Sequence, residues 1–409
     1  MTLSNVNRRK FLGGAAKAGA AAMAAPLVSR RILGANERVV MGIIGSGGMG
    51  RGHLKRFLNE GAEWAAVCDV YGPNRDQGLQ IAGPNAKGYV DHRELLGRKD
   101  IDAVLIASPE HWHHDHLIDA VRAGKDVYCE KPMSWSIQQG AGMVREVRKS
   151  GRVVQIGMQR RSSPMTHEIK RLIDEGHIGE VNFVRAEWWW NFDINREIKI
   201  EAGKLDWNRF AGPARRHAYH PIHYRYWRYF WDFSGGNMTD QGTHLMDVIQ
   251  YCMGVERPIA AVSSGAVWKF YPGETPDTFS AIFEYPKFTC TWTLCYTNSF
   301  QKGWAIIFQG HKGTIEFSEQ GYKLYPEPWS KKGYARWETP EGVRENLPGG
   351  VTDTTPHIQN FLECVRSRKE PNAPVEVGHA AVRPLHLANI AHRKKTRAVL
   401  AEDGVTVRT

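Results

Sequence analysis

Residues 38–69 read RVVMGIIGSGGMGRGHLKRFLNEGAEWAAVCD. The apolar, β-branched run at 38–44 predicts a strand. Gly45-Ser46-Gly47-Gly48-Met49-Gly50 follows at once as a G-x-G-x-x-G. Met49, His53, Leu54, Phe57 and Leu58 then recur at helical spacing, and Ala65-Ala66-Val67-Cys68 predicts a second strand that ends in Asp69. Gly45 permits the tight turn, Gly47 lets the backbone approach a pyrophosphate, and Gly50 allows close helix–strand packing. Ser46, Gly48 and Met49 complete the turn, whose amides and helix dipole face the phosphates. Asp69 can accept hydrogen bonds from a ribose and would repel a 2′-phosphate. The expected cofactor is NAD, with NADP as the alternative because Arg75 stands close by.

The alternation continues along the chain. Ala103–Ala107 and Asp126–Cys129 predict buried strands, each followed by a helical pattern, and Val153–Ile156 closes the series. Strands alternating with helices predict an α/β fold, a doubly wound parallel sheet over residues 36–157. The ligand site of such a sheet lies at the carboxyl ends of its strands. Two segments there carry candidate chemistry. Ser108 to His116 holds four histidines and two acids, in a spacing that fits no standard zinc or iron motif, so no metal is expected. The other segment is Glu130-Lys131-Pro132, where a lysine at a strand end can polarise a substrate hydroxyl. Ser108, His113, Glu130 and Lys131 join the Gly-rich turn, Asp69 and Arg75 as the cofactor-binding set.

Composition bounds the remainder. A chain of 409 residues, 42% hydrophobic and 24% charged, excludes a largely disordered chain, a collagen-like chain and a membrane bundle. The formal charge is +11, but Arg8, Arg9, Lys10 and Lys17 lie in an acid-free leader, and the excess left is mild. Nucleic acid is not an expected partner. Six cysteines show no metal or redox spacing and read as buried thiols. The 14 Trp, 14 Tyr and 15 Phe suggest stacking surfaces as well as core.

Residues 5–26, NVNRRKFLGGAAKAGAAAMAAP, resemble a twin-arginine export signal. Arg8-Arg9 precede Phe11-Leu12, a weakly apolar Ala/Gly stretch follows, and small residues offer a cleavage site before Pro26. The stretch is too short and too rich in Gly and Ala to span a bilayer. Residues 1–35 are read as leader and linker, with a periplasmic or other extracytoplasmic destination.

With Glu130-Lys131-Pro132 in place, the chain resembles the Gfo/Idh/MocA oxidoreductases from residue 38 onward. Besides the Gly-rich turn, the resemblance rests on Ser108-Pro109 to His113, on AGKDVYCEKP at 123–132, on GMQRRSSP at 157–164, and on Gly235 to His244, GGNMTDQGTH. It implies a second α+β domain, here residues 158–375, with an open, mostly antiparallel sheet. That sheet would form the active-site floor and a homodimer or homotetramer interface. Residues 289–297, TCTWTLCYT, alternate as a half-buried strand should. Residues 376–409 are expected to supply a helix that packs back on the first domain.

Asp240 and His244 are four apart on a helix predicted over 239–253, hence on one face. Histidine suits a general base near neutrality. The resemblance implies His244 as base, Lys131 as the group that polarises the hydroxyl, and Asp240 as the acid that orients the imidazole. Trp188-Trp189-Trp190 and the run from His223 to Trp231 interleave rings with arginines, which suits a pyranose. Arg160, Arg161, Trp190 and Tyr226 join Lys131, Asp240 and His244 as the substrate-binding set.

The expected function is that of an exported oxidoreductase. It moves a hydride between a sugar-like secondary alcohol and a tightly held nicotinamide, with no membrane span. An exported protein has no pool of free cofactor, so extra contacts are expected, with residues 27–37 lying over the adenosine. The alternatives are an NAD-dependent glycosidase acting by transient oxidation and elimination, and a non-catalytic sugar-binding relative.

Overall fold

The computed structural model describes residues 38–409 except 202, 215–217, 302, 328–342 and 346–350. The leader and the expected arm at 27–37 lie outside the described residues. Val39–Thr409 form one compact unit.

Its first half alternates strand and helix: β1 (Val40–Ile44), α1 (Gly48–Asn59), β2 (Glu63–Cys68), α2 (Gly72–Ala82), β3 (Lys87–Tyr89), α3 (His92–Leu96), β4 (Ala103–Ile106), α4 (Glu110–Arg122), β5 (Asp126–Cys129), α5 (Ile137–Ser150) and β6 (Val154–Ile156). The six strands form a parallel sheet in the order β3-β2-β1-β4-β5-β6. Helices cover both faces, which is why β4 and β5 are buried at every position. The order reverses between β1 and β4, and this switch point opens the crevice that holds the site.

The second half begins with α6 (Pro164–Asp174) and β7 (Val181–Trp189). Short helices α7 (Trp207–Ala211) and α8 (Pro221–Arg225) lead into the long α9 (Gly236–Met253). Then come β8 (Ala260–Ala266), β9 (Thr278–Glu284), β10 (Thr289–Cys295), β11 (Gly303–Gly310), β12 (Gly313–Ser318), β13 (Gly321–Pro326) and β14 (Val343–Glu345). The chain closes with α10 (Thr355–Ser367), α11 (Val375–Lys394), β15 (Ala398–Leu400) and β16 (Val407–Arg408). Ten strands form one sheet, β14-β13-β12-β11-β7-β10-β9-β8-β15-β16. Only the β7–β10 pair is parallel among them. Alternation is strict on β10, where Cys290, Trp292 and Leu294 point to the core and Thr289, Thr291 and Thr293 point away. α9 is buried on almost all faces, including its polar Asp240 and Asp247. Such a helix is wedged between layers rather than laid on a surface.

Two boundaries differ from the sequence reading. α10 falls within 158–375, yet its Ile358, Phe361 and Leu362 pack into the core of the first sheet beside Phe57 and Tyr128. The helix expected within 376–409 spans Val375–Lys394, and Lys395 turns into the left-handed region (φ 53). The apolar Ala398-Val399-Leu400 then pairs with β8 and extends the large sheet. α11 touches both halves: His386 Nε2 lies 2.8 Å from the Ser134 carbonyl, while Leu385 packs behind Gly242 of α9.

Candidate functional site

A cavity of about 960 Å³ opens at the switch point, a volume in the range of cofactor sites. Its nucleotide end is made of backbone. Gly45 adopts φ +93, and a Cβ there would lie 2.6 Å from the Ser108 nitrogen. A Cβ on Gly50 would lie 2.1 Å from the Gly45 carbonyl oxygen. Gly48 faces open space, and α1 starts from Gly47 with no side-chain cap, so its first amides are left for a ligand. Asp69 clasps the turn: its Oδ2 accepts from the Ser46 amide at 2.8 Å and its Oδ1 from the Tyr71 amide at 2.9 Å. Burial raises the Asp69 carboxyl, against the pull of those amides. Arg51 donates to the Ser46 carbonyl (2.7 Å) and to Asn74 (3.1 Å), and Asn74 donates to the Tyr224 hydroxyl (3.0 Å).

Of the expected cofactor set, Gly45, Gly47, Gly48, Met49, Asp69 and Ser108 line this cavity. Ser46 and Gly50 form the turn behind it. Three others are committed elsewhere. Arg75 lies along Gly88 of β3 and beside Asp76. His113 bridges loops, its Nδ1 2.7 Å from the Pro132 carbonyl and its Nε2 2.8 Å from the Ser108 carbonyl, with burial pushing its pKa down. Glu130 turns inward to His53 at 2.7 Å. Burial would raise that carboxyl, but His53 holds it below its ordinary value.

A segment of the second half covers the nucleotide end. The Gly72 amide donates to the Lys204 carbonyl at 2.9 Å, and the Asp206 amide donates to the Val70 carbonyl at 3.0 Å. Arg209 pairs with Asp91 (2.8 Å), and the Trp112 indole donates to the Phe210 carbonyl (2.8 Å).

Next to the cavity, and joined to it through Arg228, stands a group of charged side chains; Lys131, Asp240 and His244 are not among the residues that line the cavity. Lys131, just past β5, donates to Oδ1 of Asp240 at 2.8 Å and to the Asp240 carbonyl at 3.1 Å. Arg228, which lines the cavity, brings Nε to 2.9 Å from the second Asp240 oxygen. Burial would raise the Asp240 carboxyl, but Arg228 and Lys131 together hold it well below the usual range. His244, one turn on, is kept neutral: burial first, then the charges of Lys131 and Arg160, push its pKa well below 6.5. The expectation that Asp240 orients His244 is not what the geometry shows. Both Asp240 oxygens are taken by cations, and the buried Nδ1 of His244 has no hydrogen-bond partner.

The start of α9 is held from the first half by Glu110. Its carboxyl accepts from the Ser234 hydroxyl (2.7 Å), the Gly235 amide (3.3 Å) and the Thr239 hydroxyl (3.3 Å). Burial pushes Glu110 up to about 8.

The expected substrate set divides. Arg160 is buried with its guanidinium 3.9 Å from the Trp304 ring centre and 5.4 Å from that of Trp188, and its Nε and Nη1 are unpartnered. Burial lowers it to about 9, so it stays charged at neutrality. Arg161 is not in the cavity: it pairs with buried Asp247 at 2.9 Å and covers Tyr251. Tyr226 spends its hydroxyl on the Asn195 amide (2.7 Å), and its neighbours Tyr224, Arg225, Trp227 and Arg228 line the cavity instead. Trp190 lines a separate cavity. Arg228 and Glu110 are candidate site residues that sequence reasoning missed. Both were in segments already singled out, but only the fold brings them to Asp240 and to the start of α9. Among the described residues no group of His, Cys, Asp or Glu is placed to hold a metal, and no helix is long and apolar enough to cross a membrane.

Residues 39–158 match the model of the GFO/IDH/MocA oxidoreductase family, NAD-binding Rossmann fold, and residues 166–316 match the GFO/IDH/MocA C-terminal domain. The inositol 2-dehydrogenase of Klebsiella pneumoniae (strain 342) is 33% identical over 149 residues, 36% of this chain and 44% of that protein. The inositol 2-dehydrogenase of Salmonella typhimurium is 35% identical over 142 residues, 34% of this chain and 42% of that protein. The chain thus matches less than half the length of these curated relatives. Among solved structures, levoglucosan dehydrogenase in complex with NADH and levoglucosan superposes with TM-score 0.69 at 17% identity, over 89% of this chain and 100% of the other. The WlbA dehydrogenase from Bordetella pertussis, in complex with NADH and UDP-GlcNAcA, superposes with TM-score 0.67 at 20% identity, over 89% and 99%. The chain belongs to the GFO/IDH/MocA oxidoreductase family, and its residues 39–158 are an NAD-binding Rossmann domain.

Proposed function

We propose that this family member oxidises and reduces a secondary alcohol of a sugar or sugar derivative, using a nicotinamide dinucleotide held in the 960 Å³ cavity. The residues fit that group: two unobstructed glycines, uncapped helix amides and a carboxylate at the end of β2. When bound, it supplies the acceptor or donor of hydride. The observation that carries the reading is the Lys131–Asp240–Arg228 charge group beside the neutral His244. In the direction of oxidation, His244 takes the hydroxyl proton, and the Lys131 ammonium stabilises the oxygen as negative charge develops. Asp240 holds the Lys131 side chain in place. Arg228 leaves that carboxylate ionised and unavailable as a proton store. The test is absorbance near 340 nm of the nucleotide-loaded protein, titrated with a panel of monosaccharides, inositols and glycosides. Growth of the reduced-nicotinamide band with a cognate sugar is expected. A flat response to the whole panel, with nucleotide bound, sinks the reading.

Export is part of the same proposal, supported by Arg8-Arg9 ahead of Phe11-Leu12. Replacing both arginines by lysine should strand the protein in the cytoplasm on fractionation. An exported enzyme must keep its cofactor, and the Lys204–Arg209 cover supports slow release. Nicotinamide should therefore survive extensive dialysis and be recovered by mass spectrometry after denaturation. Assembly through the ten-stranded sheet is also proposed, its outward face carrying the 43% exposed Ile282. Sedimentation should then give a dimer or tetramer.

A further inference from the structure

A segment of the second half faces the Gly-rich turn. Helix α8 (Pro221–Arg225) lays Tyr224 edge-on against Tyr71, which follows β2, with ring centres 5.4 Å apart, and against Phe210 at 5.0 Å. The ring is thus fixed by two others, and Tyr224 lines the 960 Å³ cavity. Its hydroxyl accepts from the Asn74 amide nitrogen at 3.0 Å. Asn74 belongs to the surroundings of the turn. Its Oδ1 accepts from Arg51 at 3.1 Å, and its Nδ2 lies 4.0 Å from where a Cβ on Gly47 would stand. Gly47 is the position that lets the backbone approach a dinucleotide's pyrophosphate. Tyr224 therefore brings a hydroxyl of the second half to within one side-chain amide of that approach.

The state of that hydroxyl decides what it can bind. A phenol that accepts from Asn74 keeps its own proton for a further acceptor. Burial, and then the charge of Asp69, push the Tyr224 pKa well above 10, so the proton stays on the oxygen. Arg225, next in the chain, is exposed, lines the same cavity and rests its guanidinium 5.5 Å from the Tyr226 ring centre. A ring contact leaves the guanidinium's hydrogen-bond donors to a ligand. The first turn of α1 holds no acid and has no side-chain cap, so its amides add to the positive side. A neutral donor, a guanidinium and open helix amides lining one cavity suit a ligand group that is anionic and only accepts hydrogen bonds. We propose that Tyr224 and Arg225 bind the pyrophosphate of the nicotinamide dinucleotide across from the Gly-rich turn, so that the second half grips the cofactor at its centre. The start of the aromatic run at 223–231 then serves the nucleotide rather than a sugar ring. The inference rests on the nucleotide reading of the cavity and is independent of which alcohol reacts.

The full chain, freed of nucleotide with charcoal, is titrated by calorimetry with ADP-ribose, which carries the pyrophosphate, and with adenosine, which carries no phosphate. Tyr224→Phe keeps the ring against Tyr71 and Phe210 and removes only the hydroxyl. Arg225→Gln removes the charge of an exposed side chain. Each should weaken ADP-ribose about tenfold, the size of a lost hydrogen bond to a charged group, and leave adenosine within about twofold of the wild type. Added sodium chloride should lower the wild-type affinity for ADP-ribose, and lower it less in Arg225→Gln. An ADP-ribose affinity unchanged in either variant overturns the proposal. So does a loss shared equally by adenosine, which would mark the residue as a support of the turn and not a phosphate ligand. Wild-type protein that binds no ADP-ribose breaks the nucleotide reading itself, and the two-sided grip with it.

Discussion

At the nucleotide end of the main cavity the protein presents backbone. Gly45 and Gly50 have no room for a side chain, and Asp69 is already engaged with the Ser46 and Tyr71 amides. At the proposed reaction site, which adjoins that cavity at Arg228, it presents charge drawn from distant parts of the chain: Lys131 from the end of β5, Arg228 and Asp240 from the approach to and first turns of α9. The first end depends on shape and tolerates no added atom. The second depends on which cation sits against which carboxylate. Damage to one should therefore show in nucleotide binding, and damage to the other in turnover.

The widest separation is expected from His244→Ala and Lys131→Ala. Each should lower turnover by about 10²–10⁴ while nucleotide affinity stays close to that of the wild type. Near-normal activity of His244→Ala with a cognate sugar would remove it from the base role. The wild type should also lack the acid limb that an ordinary imidazole gives near pH 6.5, because burial and the Lys131 charge hold His244 well below that value. A rate that falls through pH 6.5 would show that the base is in a more solvated setting.

Gly50→Ala tests the opposite end. Its Cβ cannot fit 2.1 Å from the Gly45 oxygen, and relief of such overpacking costs about 1–3 kcal/mol. We expect nucleotide binding weakened roughly ten- to hundredfold. Asp69→Asn should have a smaller effect, because the amide oxygen still accepts from the turn, while the weaker repulsion raises NADP binding relative to NAD. Parallel titrations with the two nucleotides measure both changes. A wild type that prefers NADP would break the Asp69 argument.

The smallest effect tests the joint between the two ends. Glu110 reaches from α4 to the start of α9, and its pKa of about 8 lies above the ordinary 4.5. A carboxyl raised in the folded state contributes its full stability below pH 4.5 and loses it as pH rises toward 8. Glu110→Gln keeps an acceptor oxygen and cannot ionise. It should narrow the fall in Tm between about pH 5 and pH 8.5, by about 2–4 °C. Identical pH profiles for the two proteins would place Glu110 in wetter surroundings.

The same contrast explains what could be read before any coordinates. The Gly-rich turn, the parallel sheet and the strand ends that carry Ser108 and Lys131 were legible, because each is set by residues within a few positions of one another. Asp240 and His244 were legible as neighbours on one helical face. Their relationship was not, since Asp240 has stronger partners in Lys131, 109 positions away, and in Arg228. Arg161, in the GMQRRSSP segment, and Tyr226, in the run of rings and arginines, looked like substrate groups, yet Asp247 and the Asn195 amide had prior claims on them.

Local order in the chain thus determined the elements, their alternation and the glycine-lined cofactor turn, because periodicity and steric exclusion act over short range. The tertiary structure decided which charges meet, which aromatics stay open, and where α10 and the last strands are placed. Those outcomes depend on burial and on competition between partners distant in sequence. A cation chooses its carboxylate only when packing has taken both out of water.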